Sequence, residues 1–350
     1  MAYTNIDDPS AFFQTFLYTG NQSGRQITLD GNSDLQPDLY WYKARNSNHH
    51  YWVDSSRGTT KYIYSSLTSA EATVASAYVT SFNTNGFGVG GGDSGTNANG
   101  ISFGNWAWKA NGGTTVSNTD GSVTSTVQAN QDAGFSIQTF TSASSGNSNW
   151  GHGLGVTPDV FIVKRRDGTS SWWGHWKGTS RTAGSGNNWQ YMPLDSTAAA
   201  TSLSTFKADS TTITTSNDFV PNSASMVCYA FAEKQGYSKF GKYVGNGNAN
   251  GTFIYLGFKP AFVILKGSSA SGAWYMLDSK RDVDNVANHA LEAQSNGAEY
   301  TNYNFIDMLS NGFKLRLGTS EVNTSGNTYI YMAFAENPFT TSTGIPTTAR

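Results

Sequence analysis

The segment "SSWWGHWK" at Ser170–Lys177 holds the densest group of side chains in the sequence that could bind a ligand. Three tryptophans and a histidine lie within five residues of one another: Trp172, Trp173, His175 and Trp176. Flat aromatic rings can stack on sugar rings, and tryptophan is enriched at binding hot spots. Successive residues of a strand point to opposite faces, and only one face can line a core, so we expect at least one of these rings near the surface. The alternative is that they are core residues, as we expect for Trp52 and Trp274.

No pattern for a metal ion or a cofactor accompanies this segment. The five histidines form neither HxH nor HExxH, and Cys228 is the only cysteine, so the chain has no zinc-site pattern and no internal disulfide. A GxSxG motif for a nucleophilic serine is also missing. The loop Ser117–Gly121 lacks the alternating acidic ligands and distal glutamate of a calcium loop. We predict no metal, no cofactor and no catalytic residue, with calcium at this loop as an open alternative.

An enzyme that cleaves glycosidic bonds needs two carboxylates facing each other across a cleft. Glu233 and Glu336 occupy the same position in a sequence repeat, where the first copy has Ala110. A strand-end residue that recurs in two copies is typical of a solvated strand end. We therefore predict a protein without enzymatic activity, and the alternative is a carbohydrate-active enzyme (a depolymerase) with lectin-like modules. Two carboxylates about 5–10 Å apart in a cleft would favour that alternative.

One line of sequence occurs three times, as "PDLYWYKARN" from Pro37, "PDVFIVKRRD" from Pro158 and "PAFVILKGSS" from Pro260. A lysine follows each proline by six residues: Lys43, Lys164 and Lys266. A second phrase, "WAWKA", "YAFAE" or "MAFAE", places an alanine 70, 72 and 73 residues after the prolines: Ala107, Ala230 and Ala333. Such constant spacing indicates internal duplication.

The spacing predicts three tandem units: residues 1–130, 131–236 and 237–350. The first unit ends in a Gly/Ser/Thr-rich linker or an extra hairpin at Asn111–Gly134. The first and third copies share "DSSRG" or "DSKRD" and "NGF", which the middle copy lacks. The middle copy has "SSWWGHWK" instead, and a copy that departs from the others can acquire a new surface. The four aromatic residues of that segment are therefore the predicted ligand-binding site.

Each unit is predicted to be a β-sandwich of the jelly-roll or lectin-like kind. Charged residues are only 13% of the chain, whereas 38 glycines and 14% aromatic residues favour strands and tight turns. The proline phrases are apolar on both faces, which is typical of strands between packed layers, and we expect their lysines to return the chain to solvent. Short helices are expected only around Ser69–Ala77 and Val286–Ala293.

Charge and hydropathy argue against two classes of partner. The net charge is −2 and no basic cluster is present, so we expect no nucleic acid binding. The sequence has no run of about 18 apolar residues, so we expect no membrane insertion. The first residues, "MAYTNIDDPSAFF", lack the basic and apolar segments of a secretory signal, and we expect synthesis in a host cytoplasm.

Specific phrases run through nearly the whole chain: "MAYTNIDDPSAFFQT", "LYTGN", "PDLYWYKARNS", "VDSSRGTTKY", "GHGLGVTPD", "GNGNANGTFIYLGFKPAFVILK" and "YIYMAFAENPF". They resemble a family of tailed-bacteriophage proteins that are common in phages of marine and aquatic bacteria. Members of that family are virion, tail-fibre-like or lectin-like proteins, mostly uncharacterised. The resemblance implies a particle-borne protein, and it supplies no functional residue.

We therefore expect a non-enzymatic surface protein of a phage virion, either a head decoration or fibre, or a tail fibre that binds a receptor. The expected partners are other virion proteins and host cell-surface glycans, and the expected assembly is a homo-oligomer, with a trimer favoured. The chain lacks coiled-coil heptads, which favours a compact appendage over a long shaft. A host adhesin or secreted lectin is a third hypothesis, and the missing signal pattern argues against it.

Overall fold

The computed structural model describes residues 4–74, 78–91, 95–182, 188–318 and 321–347. Among these residues, a 3-10 turn at Pro9–Ala11 is the helical structure, and the other elements are strands. The strands form three pairs of sheets, each made of a large sheet and a three-stranded sheet. We call each pair a sandwich and number the sandwiches along the chain. The prediction of an all-β sandwich fold is confirmed.

The large sheets are antiparallel and contain the repeated phrases. In the first sandwich the order is β1 (Phe13–Thr19), β9 (Ser102–Trp108), β3 (Leu39–Ala44), β4 (His50–Asp54), β5 (Lys61–Tyr64) and β6 (Ala72–Thr73). In the second it is β10 (Val116–Asn118), β11 (Ser125–Asn130), β12 (Phe135–Thr141), β19 (Ser225–Phe231), β14 (Val160–Arg165), β15 (Trp173–Trp176) and β16 (Met192–Pro193). In the third it is β20 (Ser238–Val244), β27 (Thr328–Pro338), β22 (Phe258–Gly267), β23 (Trp274–Asp278) and β24 (Leu291–Glu292).

A three-stranded sheet covers the outer side of each large sheet. The first consists of β2 (Arg25–Ile27), β8 (Gly86–Val89) and β7 (Val79–Asn83). The second consists of β13 (Ser148–Gly151), β18 (Thr212–Thr215) and β17 (Phe206–Ala208). The third consists of β21 (Phe253–Tyr255), β26 (Gly312–Leu315) and β25 (Ile306–Leu309).

The proline-phrase strands β3, β14 and β22 hold the same place in the three large sheets. Each proline-phrase strand has two neighbours in its sheet: the strand of the alanine phrase on one side and, on the other, the next strand along the chain after the proline phrase. The registers also agree: Tyr40 lies opposite Ala107, Phe161 opposite Ala230 and Val263 opposite Ala333. Strand order and register therefore correspond in the three sandwiches. Their origin by duplication, and the unit boundaries at 130 and 236, stay predictions.

Three local expectations from the sequence need comment. Asn111–Gly134 contains the strands β10 and β11, a hairpin that extends the large sheet of the second sandwich. The helix expected at Ser69–Ala77 is wrong as far as residue 74, because β6 lies there, and residues 75–77 are outside the described residues. The helix expected at Val286–Ala293 is also wrong, because backbone bonds to neighbouring strands hold that segment extended. Tertiary hydrogen bonds override local helix propensity at both sites.

The inner faces of the three large sheets meet in one central core. Leu39 and Trp41 of β3 face this core, together with the corresponding residues of β14 and β22. Tyr40 and Tyr42 point the opposite way, into the separate core between the two sheets of the first sandwich. The proline phrases are apolar on both faces because each large sheet lies between its own small sheet and the other two sandwiches.

A single sandwich is therefore expected not to fold by itself. A polypeptide of residues 114–236 contains all described strands of the second sandwich and is long enough for an ordinary domain. It would nevertheless expose core residues such as Trp176 and Phe231, which are at most 2% exposed in the full chain. We expect it to show weak near-ultraviolet circular dichroism and no cooperative thermal transition. A sharp unfolding transition of this fragment would show that the central core is dispensable.

The three repeat lysines lie inside the protein, so the expectation that they return to solvent is wrong. Lys43, Lys164 and Lys266 have no exposed surface. Burial lowers the pKa of Lys43 to about 7 and the pKa of the other two to about 8. The ammonium of Lys164 donates to Thr68 O of the first sandwich at 2.9 Å, and that of Lys266 donates to Thr197 O of the second at 3.2 Å. Lys164 and Lys266 thus satisfy carbonyl groups of a neighbouring sandwich, whereas Lys43 donates to Ala44 O and Asn46 O of its own.

Matching backbone hydrogen bonds join the sandwiches in a closed ring. Their distances are 2.8–2.9 Å, and they run from Glu71 N to Arg166 O, from Ala200 N to Ser268 O and from Glu299 N to Arg45 O. The first sandwich thus contacts the second, the second contacts the third, and the third contacts the first. This ring brings the three inner faces together.

The "DSSRG" phrase forms a buried ion network between the first and second sandwiches. Arg57 Nε contacts Asp54 Oδ2 at 2.5 Å, and neither side chain has exposed surface. The same guanidinium contacts Glu71, which also pairs with Arg166 of the second sandwich. Tyr229 of the second sandwich donates its hydroxyl to Asp54 Oδ2 at 2.6 Å. These residues therefore hold the first and second sandwiches together. We call the contact between two sandwiches a joint and number the joints along the chain: first with second, second with third, and third with first.

The "DSKRD" phrase forms the corresponding network between the third and first sandwiches. Arg281 Nε contacts Asp278 Oδ2 at 2.6 Å, again without exposed surface. Glu299 bridges Arg281 to Arg45 of the first sandwich, and Trp106 donates its indole N–H to Asp278. Both shared phrases thus have the same role at two of the three joints.

Candidate functional site

Three of the four predicted ligand-binding residues lie in the interior. Trp172 and His175 have no exposed surface, and Trp176 is 2% exposed. The expectation that at least one of these rings lies near the surface is met only by Trp173, because the large sheet is covered on both sides. In this structure these three side chains cannot contact a glycan, and only Trp173 of the four is half-buried.

Trp176 occupies the position that the aspartates hold at the other two joints. It lies opposite Val160, as Asp54 lies opposite Leu39 and Asp278 opposite Phe262. Its ring packs against Trp274 of the third sandwich with centroids 4.5 Å apart, and its N–H donates to Met192 O. The second joint is therefore apolar where the other two are ionic, which explains why the middle copy lacks the "DSxR" phrase.

The remaining residues of the segment are held by neighbouring groups. Trp172 donates its indole N–H to Tyr64 O of the first sandwich at 2.8 Å. His175 Nδ1 lies 2.9 Å from Gln190 O, and burial lowers the pKa of its imidazole to about 3, so the ring is neutral. Trp173 donates to Ser170 Oγ and contacts Tyr191 edge-on. Trp173 alone keeps a partly accessible ring.

The surface of the ring has a cleft at each joint between sandwiches. We name the clefts after one lining residue each: the Gln14 cleft (third and first sandwiches), the Asp34 cleft (first and second) and the Tyr255 cleft (second and third). The Asp34 cleft is lined by polar side chains and glycine or alanine. Among the described lining residues of the Gln14 cleft, Phe13 is the one aromatic side chain, and it is buried. The Tyr255 cleft differs, because it has two exposed aromatic rings, Tyr255 and Phe339.

Residues from both sandwiches form the Tyr255 cleft. Glu233 and Gln235 follow the last strand of the second sandwich, and Lys239 lies on β20 of the third. Lys239 Nζ donates to Tyr255 O at 3.0 Å and lies 5.2 Å from the centre of the Tyr255 ring. The Phe339 amide donates to Gly257 O at 3.0 Å, which fixes the second ring at the cleft edge. A cleft with aromatic walls and a few polar groups is typical of a small-molecule site.

The outer face of the third small sheet continues this aromatic surface. Phe253 and Tyr255 flank buried Ile254 on β21 and are 44% and 54% exposed. In the first sandwich the corresponding neighbours of buried Ile27 are Gln26 and Thr28. In the second sandwich the neighbours of buried Trp150 are Asn149 and Gly151. Outward aromatic rings at this place are therefore a feature of the third sandwich.

The two repeat glutamates are held by neighbouring cations. Glu233 forms an ion pair with Lys177 and accepts a hydrogen bond from Phe240 N. Glu336 Oε1 lies 2.6 Å from Lys259 Nζ. Lys177 also contacts Asp159, so the carboxylates of Glu233 and Asp159 share one ammonium group as an ion network.

A different pair of glutamates lies beside tyrosines in the third sandwich. Tyr275 donates its hydroxyl to Glu321 Oε2 at 2.6 Å, and Gln294 donates to Glu292 Oε2 at 3.1 Å. Burial, with a further contribution from Glu321, raises the pKa of Glu292. Tyr300, whose ring lies 6.2 Å from that of Tyr275, is partly exposed beside them.

The described residues contain no group of three or more His, Cys, Asp or Glu side chains that could hold a metal ion. They also contain no helix that is long and apolar enough to cross a membrane. Cys228 is buried, and burial raises the pKa of its thiol well above the ordinary value. A reactive thiolate at this position is therefore not favoured.

A family described as a domain of unknown function, DUF7483, matches residues 8–338. The chain belongs to the DUF7483 family. No curated protein and no solved structure matches it. The DUF7483 match spans all three sandwiches and includes every lining residue of the Tyr255 cleft except Phe339 and Thr340.

Sequence reasoning missed the Tyr255 cleft in this DUF7483 chain, although one signal was present. The phrase "TFIYL" of the third copy corresponds to "RQITL" of the first. In a strand with one buried residue, the two neighbours face outward. Comparison of the copies would have shown that Gln26 and Thr28 are replaced by Phe253 and Tyr255 on an outer sheet.

Proposed function

We propose that this chain is a non-enzymatic surface protein of a bacteriophage virion that recognises its partners through exposed sandwich surfaces. Its partners would be other virion proteins and host cell-surface glycans, and its assembly a homo-oligomer, with a trimer favoured. The observation that carries the recognition role is the exposed aromatic surface formed by Phe253, Tyr255 and Phe339. The proposed virion location rests on the resemblance of the sequence phrases to tailed-bacteriophage proteins.

Two features of the fold support a recognition role. Large exposed apolar rings on a folded protein mark sites where a partner binds. The ring of three sandwiches also offers three outer sheets, and among their described residues large exposed aromatic rings lie on the sheet of the third sandwich. Divergence of one outer surface on a common frame is what selection for binding would produce.

The location is tested on purified particles of the phage that encodes the chain. An antibody against the full chain is expected to label intact virions in immunogold electron microscopy. Soluble protein is expected to compete with particles for adsorption to host cells if the partner is a host glycan. If the particles are shown to contain this chain and intact particles are still not labelled, a surface location is contradicted.

The alternative, a carbohydrate-active enzyme, has one observation in its favour. Glu292 has a raised pKa, as a general acid requires, and Glu321 lies in the same tyrosine-lined region. Release of reducing ends from a polysaccharide by the purified chain, abolished by Glu292→Gln, would favour this alternative. We expect no release, because the two carboxylates do not line any of the joint clefts.

A further inference from the structure

Two exposed rings form the apolar part of the Tyr255 cleft. Tyr255 is 54% exposed and Phe339 is 36% exposed. Pairing of β21 with β26 fixes the backbone of Tyr255, and hydrogen bonds from Phe339 N to Gly257 O and from Thr347 N to Phe339 O fix the second ring. The rings are therefore presented by ordered backbone, so little conformational entropy is lost when a ligand stacks on them.

Polar groups next to these rings have unused hydrogen-bonding capacity. The exposed side-chain amide of Gln235 makes no hydrogen bond among the described contacts. Lys239 Nζ donates one hydrogen bond, to Tyr255 O, and an ammonium group has three donors. An amide offers both donors and an acceptor, so Gln235 and Lys239 together can bind hydroxyl groups as donors and as acceptors.

The charges of the cleft are balanced internally. Glu233 and Lys239 are the charged residues of the described lining, one carboxylate and one ammonium, so the formal charge of the lining is zero. Lys239 lies over the electron-rich face of Tyr255, a cation–π contact. A site without a surplus of either charge suits an uncharged polar ligand better than a phosphate or a nucleic acid.

We propose that the Tyr255 cleft binds one neutral pyranose residue of a bacterial surface polysaccharide, an inference that rests on the recognition role proposed above. A pyranose ring has an apolar C–H face, which stacks on the negative face of an aromatic ring, and a rim of hydroxyl groups. Tyr255 and Phe339 contact the C–H face, and Gln235 and Lys239 bind the hydroxyl rim. The cleft has a volume of about 420 Å³, which is within the usual range for small-ligand sites.

The other two clefts provide an internal comparison. In the Gln14 cleft, the position of Lys239 is taken by Gln14, whose side chain is already bound to Ser10 O, Ser33 O and Gly31 N. The described lining of the Asp34 cleft contains no aromatic side chain. These clefts lack the exposed rings for stacking, so one sugar site per chain is expected.

The test uses the full chain and an array of bacterial capsular and O-antigen polysaccharides, followed by calorimetric titration of the polysaccharide that binds most strongly. Tyr255→Ala and Phe339→Ala are each expected to weaken binding by about tenfold or more, as truncation of an aromatic hot spot does. Tyr255→Phe keeps the ring and is expected to bind within about twofold of the unchanged chain. Leu203→Ala is the matched control, because Leu203 is an exposed apolar residue of the second sandwich, far from these lining residues in the chain.

Two results would overturn the proposal. One is the absence of polysaccharide binding by a chain whose circular dichroism and melting temperature show that it is folded. The other is binding that Tyr255→Ala leaves unchanged, or that Tyr255→Phe lowers as much as Tyr255→Ala does. If the cleft instead binds a virion protein and no polysaccharide, the sugar site is wrong while the virion role stands. If polysaccharide binding holds but particles carry no label, the sugar site stands and the virion location is wrong.

Discussion

Replacement of Asp54 by alanine is expected to lower the free energy of unfolding by about 3–5 kcal/mol, as removal of one partner of a buried ion pair does. Arg57 would keep its charge in a site without exposed surface, next to the Tyr229 hydroxyl that had donated to Asp54. Glu71 compensates only part of that charge, because it also pairs with Arg166. Urea unfolding followed by tryptophan fluorescence measures the change.

Two further variants separate the charge effect from a general loss of packing. Asp278→Ala leaves Arg281 in the corresponding situation and is expected to cost a similar amount. The double variant Asp54→Leu with Arg57→Met removes both charges and is expected to cost clearly less than Asp54→Ala, because apolar pairs often replace buried ion pairs without loss. Trp176 at the second joint shows that this position accepts an apolar side chain. A cost below about 1 kcal/mol for Asp54→Ala would show that the network contributes little.

Much of the fold could be predicted because the repeats record equivalent contacts. The proline phrases and the alanine phrases lie on neighbouring strands in each sandwich, where Tyr40, Phe161 and Val263 stand opposite the three repeat alanines. The spacing of these phrases could not show what covers the second face of each large sheet. The other two sandwiches bury that face, through contacts between residues that are far apart in the chain.

The errors at the lysines and at "SSWWGHWK" have this common cause. A lysine at a strand end usually reaches solvent. The side-chain ammonium of Lys164 instead contacts the first sandwich, where it donates to Thr68 O. Alternation of residues along β15 correctly separated Trp176, which faces the central core, from His175, which is buried on the opposite side beside the half-buried Trp173. The sequence pattern shows which side chains share a face, whereas exposure depends on whether another layer covers that face.

The candidate site was hidden for the complementary reason. "FIY" in β21 is a continuous apolar run, which is typical of a buried strand. Its outer face stays exposed because the small sheet is the outermost layer of its sandwich. Glu233 and Gln235 lie in the connection between β19 and β20, and Phe339 directly follows β27. Pairing of β22 with β27, which are far apart in the chain, brings Phe339 next to Tyr255, and no local sequence pattern records that pairing.

Phe334→Ala is expected to lower the free energy of unfolding by about 3–5 kcal/mol, the usual cost of truncating a buried phenylalanine. Phe334 lies on β27 and is 1% exposed. Its ring contacts aromatic rings of the first, second and third sandwiches, with centroid distances of 5.0 Å to Phe13, 6.0 Å to Phe231 and 5.8 Å to Phe240. The cavity left by alanine would border all three large sheets at once, and none of them could close it alone.

Phe253→Ala is the matched control, because Phe253 is in the same sandwich and is 44% exposed. Its truncation is expected to lower the free energy of unfolding by at most about 0.5 kcal/mol.

The shared central core also leads us to expect that the three sandwiches unfold cooperatively. In Phe334→Ala the unfolding midpoint should fall equally for Trp106 of the first sandwich and Trp274 of the third, reported by hydrogen exchange of their backbone amides in urea, because the fluorescence of ten tryptophans cannot be assigned to one sandwich. Loss of the third sandwich at lower urea while Trp106 keeps its original midpoint would mean that the sandwiches unfold separately. A common midpoint would mean that the three sandwiches fold as one cooperative unit.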